Sequence, residues 1–217
     1  GEDDEISTIN ATDLGSIAKS KNITSENRIA VIIAEGEIVG GSAEGVISSE
    51  KFAKEIRKAR KDENIKAIVL RVNSPGGSIV ASDVIWREMT EAKKAKPLIV
   101  SMGEVAASGG YYISAPADTI VAQPNTITGS IGIFGLWFNV QELLNEKLGI
   151  TTDVVSTGQL SDFMNPTRDL TEVERTIIQS SIEDGYETFI SRVAEGRGMH
   201  VDSVKKVASG RVWTGTQ

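Results

Sequence analysis

Ser108 is the side chain of this sequence best placed to act as a nucleophile. It lies in Val105-Ala106-Ala107-Ser108-Gly109-Gly110, a run of small residues. Ala106-x-Ser108-x-Gly110 has the small-x-Ser-x-small shape of a nucleophile elbow, without the usual first glycine. Small neighbours let the backbone turn sharply and let a substrate approach. A helix starting at Gly109 would aim the Gly109 N–H at a developing oxyanion. Ser74-Pro75-Gly76-Gly77 offers the second donor, from Gly76 or Gly77, because a glycine pair lets backbone come close to a ligand. The same spacing also suits a tight helix–sheet crossing that needs small residues, and spacing alone leaves both readings open.

A serine nucleophile needs a base. His200 is the single histidine. It stands beside Met199 and reads as a surface residue between helices, so a Ser-His-Asp triad is not expected. A lysine would serve if burial lowered its pKa toward neutrality. The lysines cluster on helix faces, as Lys93, Lys94 and Lys96 or as Lys205 and Lys206, and none stands alone in an apolar setting. The serine has its stage, but the base is missing. Other chemistries fall away. There is no cysteine, hence no thiolate nucleophile, disulfide or thiolate zinc site. One histidine excludes multi-histidine metal sites, and the Asp and Glu residues show no metal-binding spacing, so neither metal nor cofactor is expected. Ser74-Pro75-Gly76-Gly77 lacks the lysine of a phosphate-binding loop. Trp86, Trp137 and Trp213 read as core or interface residues.

Alternating apolar strands and amphipathic helices must position these junctions. Strands are expected at 29–33, 65–72, 98–102, 119–122 and 151–155, with an extended, glycine-interrupted segment at 128–133. Helices are expected at 49–61, 79–94, 140–148 and 202–208, with a short one carrying Tyr111 and Tyr112. A long helix should open at the capping box Thr171-Glu172-Val173-Glu174 and stop at Gly196. Val173, Ile177, Ile178, Ile182, Phe189 and Val193 recur along it at helical spacing. Val212-Trp213 begins a last strand. This pattern implies an α/β domain with a largely parallel, covered sheet. The basic face of the helix at 49–61 (Lys51, Lys54, Arg57, Lys58, Lys61) reads as solvated. Residues 1–27 are polar, open with an acidic run, and read as a lead-in or linker. The 217 residues, 40% hydrophobic, suffice for one real core, and a net charge of −7 argues against general nucleic-acid binding. No apolar run approaches a membrane span. The chain ends four residues after Trp213, inside an expected element, which suggests a fragment truncated at its C-terminus.

Several ordered stretches resemble the signal peptide peptidase (protease IV) family of serine peptidases, which use a Ser-Lys dyad. They are Arg71-Val72-Asn73-Ser74-Pro75-Gly76-Gly77-Ser78, Val105-Ala106-Ala107-Ser108-Gly109-Gly110-Tyr111-Tyr112 and Ile127-Thr128-Gly129-Ser130-Ile131-Gly132. Asn165-Pro166-Thr167-Arg168 and Val212-Trp213-Thr214-Gly215 also fit. The resemblance runs from about Arg28 to the end, making 28–217 the peptidase domain. It implies the spiral α/β fold shared with ClpP and crotonase, Ser108 as nucleophile, Gly76 and Gly109 at the oxyanion hole, and Ser130 as the residue orienting the lysine ammonium. In short members the base lysine lies in a G-x-K-x-D segment. Here that segment reads Gly158-Gln159-Leu160-Ser161-Asp162, and leucine holds the lysine's place. This is the pattern of the C-terminal half of long, duplicated members, whose N-terminal half supplies the lysine. The resemblance therefore implies a catalytic half-site acting on released signal peptides. It also implies a homo-oligomer and a parent chain attached to the inner (cytoplasmic) membrane, facing the periplasm or cell exterior.

Two other classes compete. A crotonase-like enzyme would bind acyl-CoA and hold a thioester enolate with the same glycine loops. However, Glu104 is the one carboxylate beside them, it reads as solvent-facing, and Ser108 would have no role. A non-catalytic assembly domain would expose an apolar surface and self-associate.

Overall fold

A computed structural model describes residues 26–217. The expected lead-in at 1–27 lies outside the described residues except for Glu26 and Asn27. The chain forms two compact units, one of residues up to Ile131 together with Ile190–Gln217, the other of Gly132–Phe189.

In chain order the first unit holds β1 (Arg28–Glu35), the short strands β2 (Ile38–Val39) and β3 (Ile47–Ser48), α1 (Ser49–Lys61), β4 (Ile65–Ser74) and α2 (Ile79–Ala95). There follow β5 (Leu98–Ala107), α3 (Gly109–Ser114), β6 (Thr119–Val121) and β7 (Ile127–Gly129). The end of α4 (Glu172–Arg197), α5 (Val201–Val207) and β8 (Val212–Thr214) complete it. The main sheet has the order β1-β4-β5-β7-β8, with β6 also on β5. Every pairing in it is parallel except β7 with β8. β2 and β3 pair separately.

The core sits on one face of this sheet. Ile68, Leu70 and Val72 of β4 and Leu98, Val100 and Met102 of β5 point there at period two. They meet Ile56 and Ala59 of α1 and Ile85, Met89 and Ala92 of α2. Each such large side chain contributes about 1.5–3 kcal/mol by leaving water. Ser78 caps α2 through its side chain, accepting from Ala81 N–H at 3.3 Å. The other face of the sheet differs from the covered face expected of a parallel sheet. Ile29, Val31 and Ile33 of β1 are exposed among the described residues. The expected all-apolar run is thus one buried row and one bare row.

The second unit has little regular structure besides the start of α4. The helix expected at 140–148 forms over residues 141–147, and its Leu143–Lys147 portion is π-helical, with Leu148 N–H reaching Leu143 O at 3.2 Å. No strand forms at 151–155, where Val155 is 93% exposed. The β-branched residues favour extension, but a strand also needs a ladder, and this unit contributes no partner strand. The capping box is present. Thr171 Oγ1 accepts from Glu174 N–H at 3.2 Å and Glu174 Oε2 accepts from Thr171 N–H at 2.7 Å. Of the periodic residues on the long helix, Val173 and Ile177 are exposed, while Phe189 and Val193 are buried.

Candidate active site

Ser108 stands between the last residue of β5 and the first of α3, at φ +52° and ψ −121°. For a residue with a Cβ this left-handed φ costs on the order of 1–3 kcal/mol, and such strain persists only where its surroundings impose it. Those surroundings are specific. Ser108 N–H donates to Gly129 O at 3.0 Å, at the end of β7. Ser108 O accepts Tyr112 N–H at 2.9 Å and starts α3. Thr128 Oγ1 donates to Ala106 O at 2.9 Å, tying the ends of β5 and β7 together. The Ser108 side chain does not cap its own helix, so its hydroxyl is not used there.

The Ser74-Pro75-Gly76-Gly77 loop lies against this turn. A Cβ on Gly76 would stand 2.7 Å from Gly109 N and 2.8 Å from Ser108 Cβ. A Cβ on Gly109 would meet Ser82 Oγ at 2.7 Å and Gly77 N at 3.2 Å. Glycine is therefore required on both sides by close approach of two backbones. Ile38 holds the loop from its other side: Ile38 N–H donates to Gly76 O and Ser78 N–H to Ile38 O, both at 2.8 Å. Gly76 N–H itself donates to Ser74 Oγ at 3.2 Å, whereas no hydrogen bond from Gly77 N–H is formed among the described residues. A bulge between Val72 and Ser74 sets the loop's aim, and Asn73 Oδ1 takes up Val105 N–H at 3.2 Å there.

Ser130 also has a left-handed backbone, φ +48°, and its N–H donates to Arg211 O at 2.8 Å. It adjoins Gly129, whose carbonyl holds Ser108 N–H. Four non-glycine residues among those described have positive φ, and Ser108 and Ser130 are two of them.

Candidate bases are absent from this cluster. His200 is exposed and caps α5, with Nδ1 3.3 Å from Asp202 N and from its carboxylate. Lys93 pairs with Asp118, Lys94 with Glu91, and Lys96 donates to Ala59 O. Lys205 and Lys206 are exposed on α5, and Glu104 is exposed on β5. Leu160 belongs to the second unit and is exposed. Among the described residues no group of three His, Asp or Glu side chains gathers as a metal site, and no helix is long and apolar enough to cross a membrane.

An anchor of α3 escaped the sequence. Tyr112 OH donates to Asp83 Oδ1 of α2 at 2.7 Å. Arg192 of α4 reaches the same carboxylate at 3.3 Å and stacks 3.7 Å above the Trp86 ring. Burial, then the Asp83 hydrogen bond, pushes the Tyr112 phenol well above its usual range. Burial likewise raises Tyr111, against the pull of Arg197. No local spacing announces this contact, because it joins three helices far apart in sequence.

The sequence matches two family patterns, Peptidase family S49 over residues 90–217 and Clp protease over residues 20–128. It is 49% identical over 189 residues to Protease 4 of Salmonella typhi, covering 86% of this chain and 30% of that protein. It is 36% identical over 229 aligned positions to an Enterococcus faecium protein described provisionally as signal peptide peptidase SppA, covering 99% of this chain and 66% of that protein. The chain thus spans about a third or less of the length of the Protease 4 relative. Its fold is similar to that of ClpP1 from Listeria monocytogenes, with TM-score 0.52 at 17% identity over 90% of this chain and 85% of that one.

Proposed function

Because this chain belongs to peptidase family S49, we propose that it supplies the nucleophile and oxyanion hole of a serine peptidase whose base lysine comes from outside these residues. The strained Ser108 turn, packed against Gly76 and started on a helix N-terminus, carries the reading. Residues 28–217 form the peptidase domain in this reading.

A neutral lysine amine takes the Ser108 Oγ proton, and Oγ attacks the substrate carbonyl carbon. The oxyanion is met by Gly109 N–H and by an N–H of the Gly76-Gly77 pair. Gly77 is the better placed of that pair, since Gly76 N–H already has Ser74 Oγ. Collapse of the tetrahedral species breaks the C–N bond, and the leaving amine takes the proton from the lysine. Water then releases the acyl group from Ser108. Ser130, next to the carbonyl that holds Ser108, orients the incoming ammonium. Leu160 in Gly158-Gln159-Leu160-Ser161-Asp162 leaves this chain without its own base, so the N-terminal half of the parent supplies the lysine. Substrates are peptides with small or apolar side chains near the cut, as in released signal peptides. The parent is an oligomer attached to the inner membrane, with the site facing the periplasm or exterior.

Hydrolysis of a fluorogenic apolar peptide tests this, first with the chain alone and then with the parent's N-terminal half added. Turnover should appear only on addition and vanish with Ser108→Ala. Turnover by the chain alone would place the base within these residues, and turnover by Ser108→Ala would remove the nucleophile assignment.

A further inference from the structure

The proposed reaction asks for two N–H donors at a fixed separation, one from Gly109 and one from the Gly76-Gly77 pair. Past the Ser74–Ala106 pair that ends the β4–β5 ladder, no hydrogen bond joins residues 75–77 to 108–110 among the described residues. The two segments touch only across the space their glycines leave. α3 does not hold its own direction either. It is six residues long, and a helix that short is not stable by itself. Its direction has to come from a contact further along.

That contact lies about one turn into each helix. α2 leaves directly from the glycine loop, capped by Ser78, and Asp83 follows within its first turns. α3 leaves directly from Ser108, and Ser108 O accepts Tyr112 N–H at 2.9 Å. Tyr112 OH then donates to Asp83 Oδ1 at 2.7 Å. This bond joins the element that carries the nucleophile to the element that continues the glycine loop. Both partners are held. Tyr112 is 1% exposed, so its ring has no room to swing away. Arg192 reaches Asp83 Oδ1 at 3.3 Å while stacked on the buried Trp86. Ser82, beside Asp83, packs against Gly109 itself and is fixed by its own bond to Ser78 O at 2.9 Å.

We propose that Asp83 and Tyr112 are positioning residues of the peptidase reaction, and that their hydrogen bond sets the separation between the Gly109 N–H and the Gly76-Gly77 loop. This rests on the peptidase reading. Neither side chain touches substrate in it. A displaced donor matters most to the tetrahedral oxyanion and little to the bound peptide, so its loss lowers kcat and leaves KM. Removing a whole oxyanion donor costs about 10²–10³ in kcat, and loosening one should cost about tenfold.

The test is steady-state hydrolysis of a fluorogenic apolar peptide by the chain assembled with the parent's N-terminal half. Tyr112→Phe and Asp83→Ala should each lower kcat about tenfold with KM within about twofold of the parent. The double variant should be no worse than either, because one bond is removed. Asp83→Asn keeps an oxygen to accept from Tyr112 OH and should retain most of kcat. Ile56→Val, in the core under α1, costs comparable stability and should leave kcat unchanged. Circular dichroism melts confirm that each variant is folded at the assay temperature, and Tyr112→Phe carries the test should Asp83→Ala fail to fold. Parental kcat in Tyr112→Phe overturns the inference, as does a loss carried in KM. An equal loss in Ile56→Val, or Asp83→Asn as impaired as Asp83→Ala, overturns it too. Parent and Ser108→Ala run in the same assay separate the two failures. An inactive parent or an active Ser108→Ala removes the peptidase reading and this inference with it, whereas Ser108-dependent turnover that ignores Tyr112 removes the inference alone.

Discussion

Gly76→Ala separates two costs that glycine avoids at the nucleophile turn. Gly76 has φ +108°, and its added Cβ would lie 2.7 Å from Gly109 N, 2.8 Å from Ser108 Cβ and 3.1 Å from Ala107 O. Two of these three neighbours are backbone atoms, so they cannot swing aside. The positive φ alone costs a residue with a Cβ about 1–2 kcal/mol. Forcing a methyl into a filled space adds about 1–3 kcal/mol. Together the expected loss is about 2–5 kcal/mol, a large share of the ~5–15 kcal/mol that holds a domain folded. Two neighbouring glycines calibrate it. Gly41 has φ +77° with nothing within 4 Å, so Gly41→Ala should show only the backbone cost. Gly40 has open space and no positive φ, so Gly40→Ala should be near neutral. Urea unfolding of the three variants gives the ranking directly. By thermal melting, each kcal/mol should lower Tm by about 2–4 °C at this chain length. Gly76→Ala no worse than Gly41→Ala would refute the close approach of the two loops, and with it the proposed oxyanion hole.

Ser108→Gly should abolish turnover in the assembled protein yet stabilise the chain by about 1 kcal/mol, because it relieves the left-handed backbone; destabilisation on urea unfolding would deny that the turn is strained. Arg168 holds the Glu174 carboxyl down at about 2, first by its hydrogen bond and then by that of Thr171 N–H, and lowers Asp162 as well. Both carboxyls have folded pKa values below their unfolded ones, so this support is complete above about pH 5 and fades as pH falls toward 2. Arg168→Ala should therefore flatten the acid limb of a stability–pH profile, and an unchanged limb would contradict the ion network. Tyr112→Phe should cost about 1 kcal/mol by removing the hydrogen bond to Asp83, and a variant as stable as the parent would show that bond to be idle.

The elements that read correctly from sequence are those decided within one βα junction. α1 begins and ends where periodicity alone places it, at Ser49 and Lys61. α2 starts after Ser78, whose side chain caps it. Glycine pairs mark the loops that meet at Ser108, because a close backbone approach demands that no Cβ be present, and this demand is local and visible. What failed was decided at a distance. Residues 151–155 have strand-forming side chains but no ladder in their own unit. The Ile29, Val31 and Ile33 row reads as interior because apolar side chains look alike whether or not something covers them.

The site itself divides along the same line. Small residues around Ser108 are consistent with a helix crossing or with a nucleophile, and composition cannot choose. The backbone supports the second reading. A crossing that needs only small residues would accept glycine at 108 and remove the strain. Instead a serine is held at φ +52°, with a second serine at φ +48° one residue beyond the carbonyl that anchors it. Serine rather than glycine at these two adjoining positions is consistent with hydroxyls that the proposed reaction uses. The proposal of an outside base rests on elimination: among the described residues, one exposed histidine and lysines paired on helix faces leave no candidate base in the Ser108 cluster. The proposed half-site predicts that adding a soluble amine of suitable pKa will not substitute for the N-terminal half, because in that reading the lysine arrives oriented by Ser130. Rescue by free methylamine, scored as Ser108-dependent hydrolysis in the isolated chain, would show instead that Ser130 plays no positioning part.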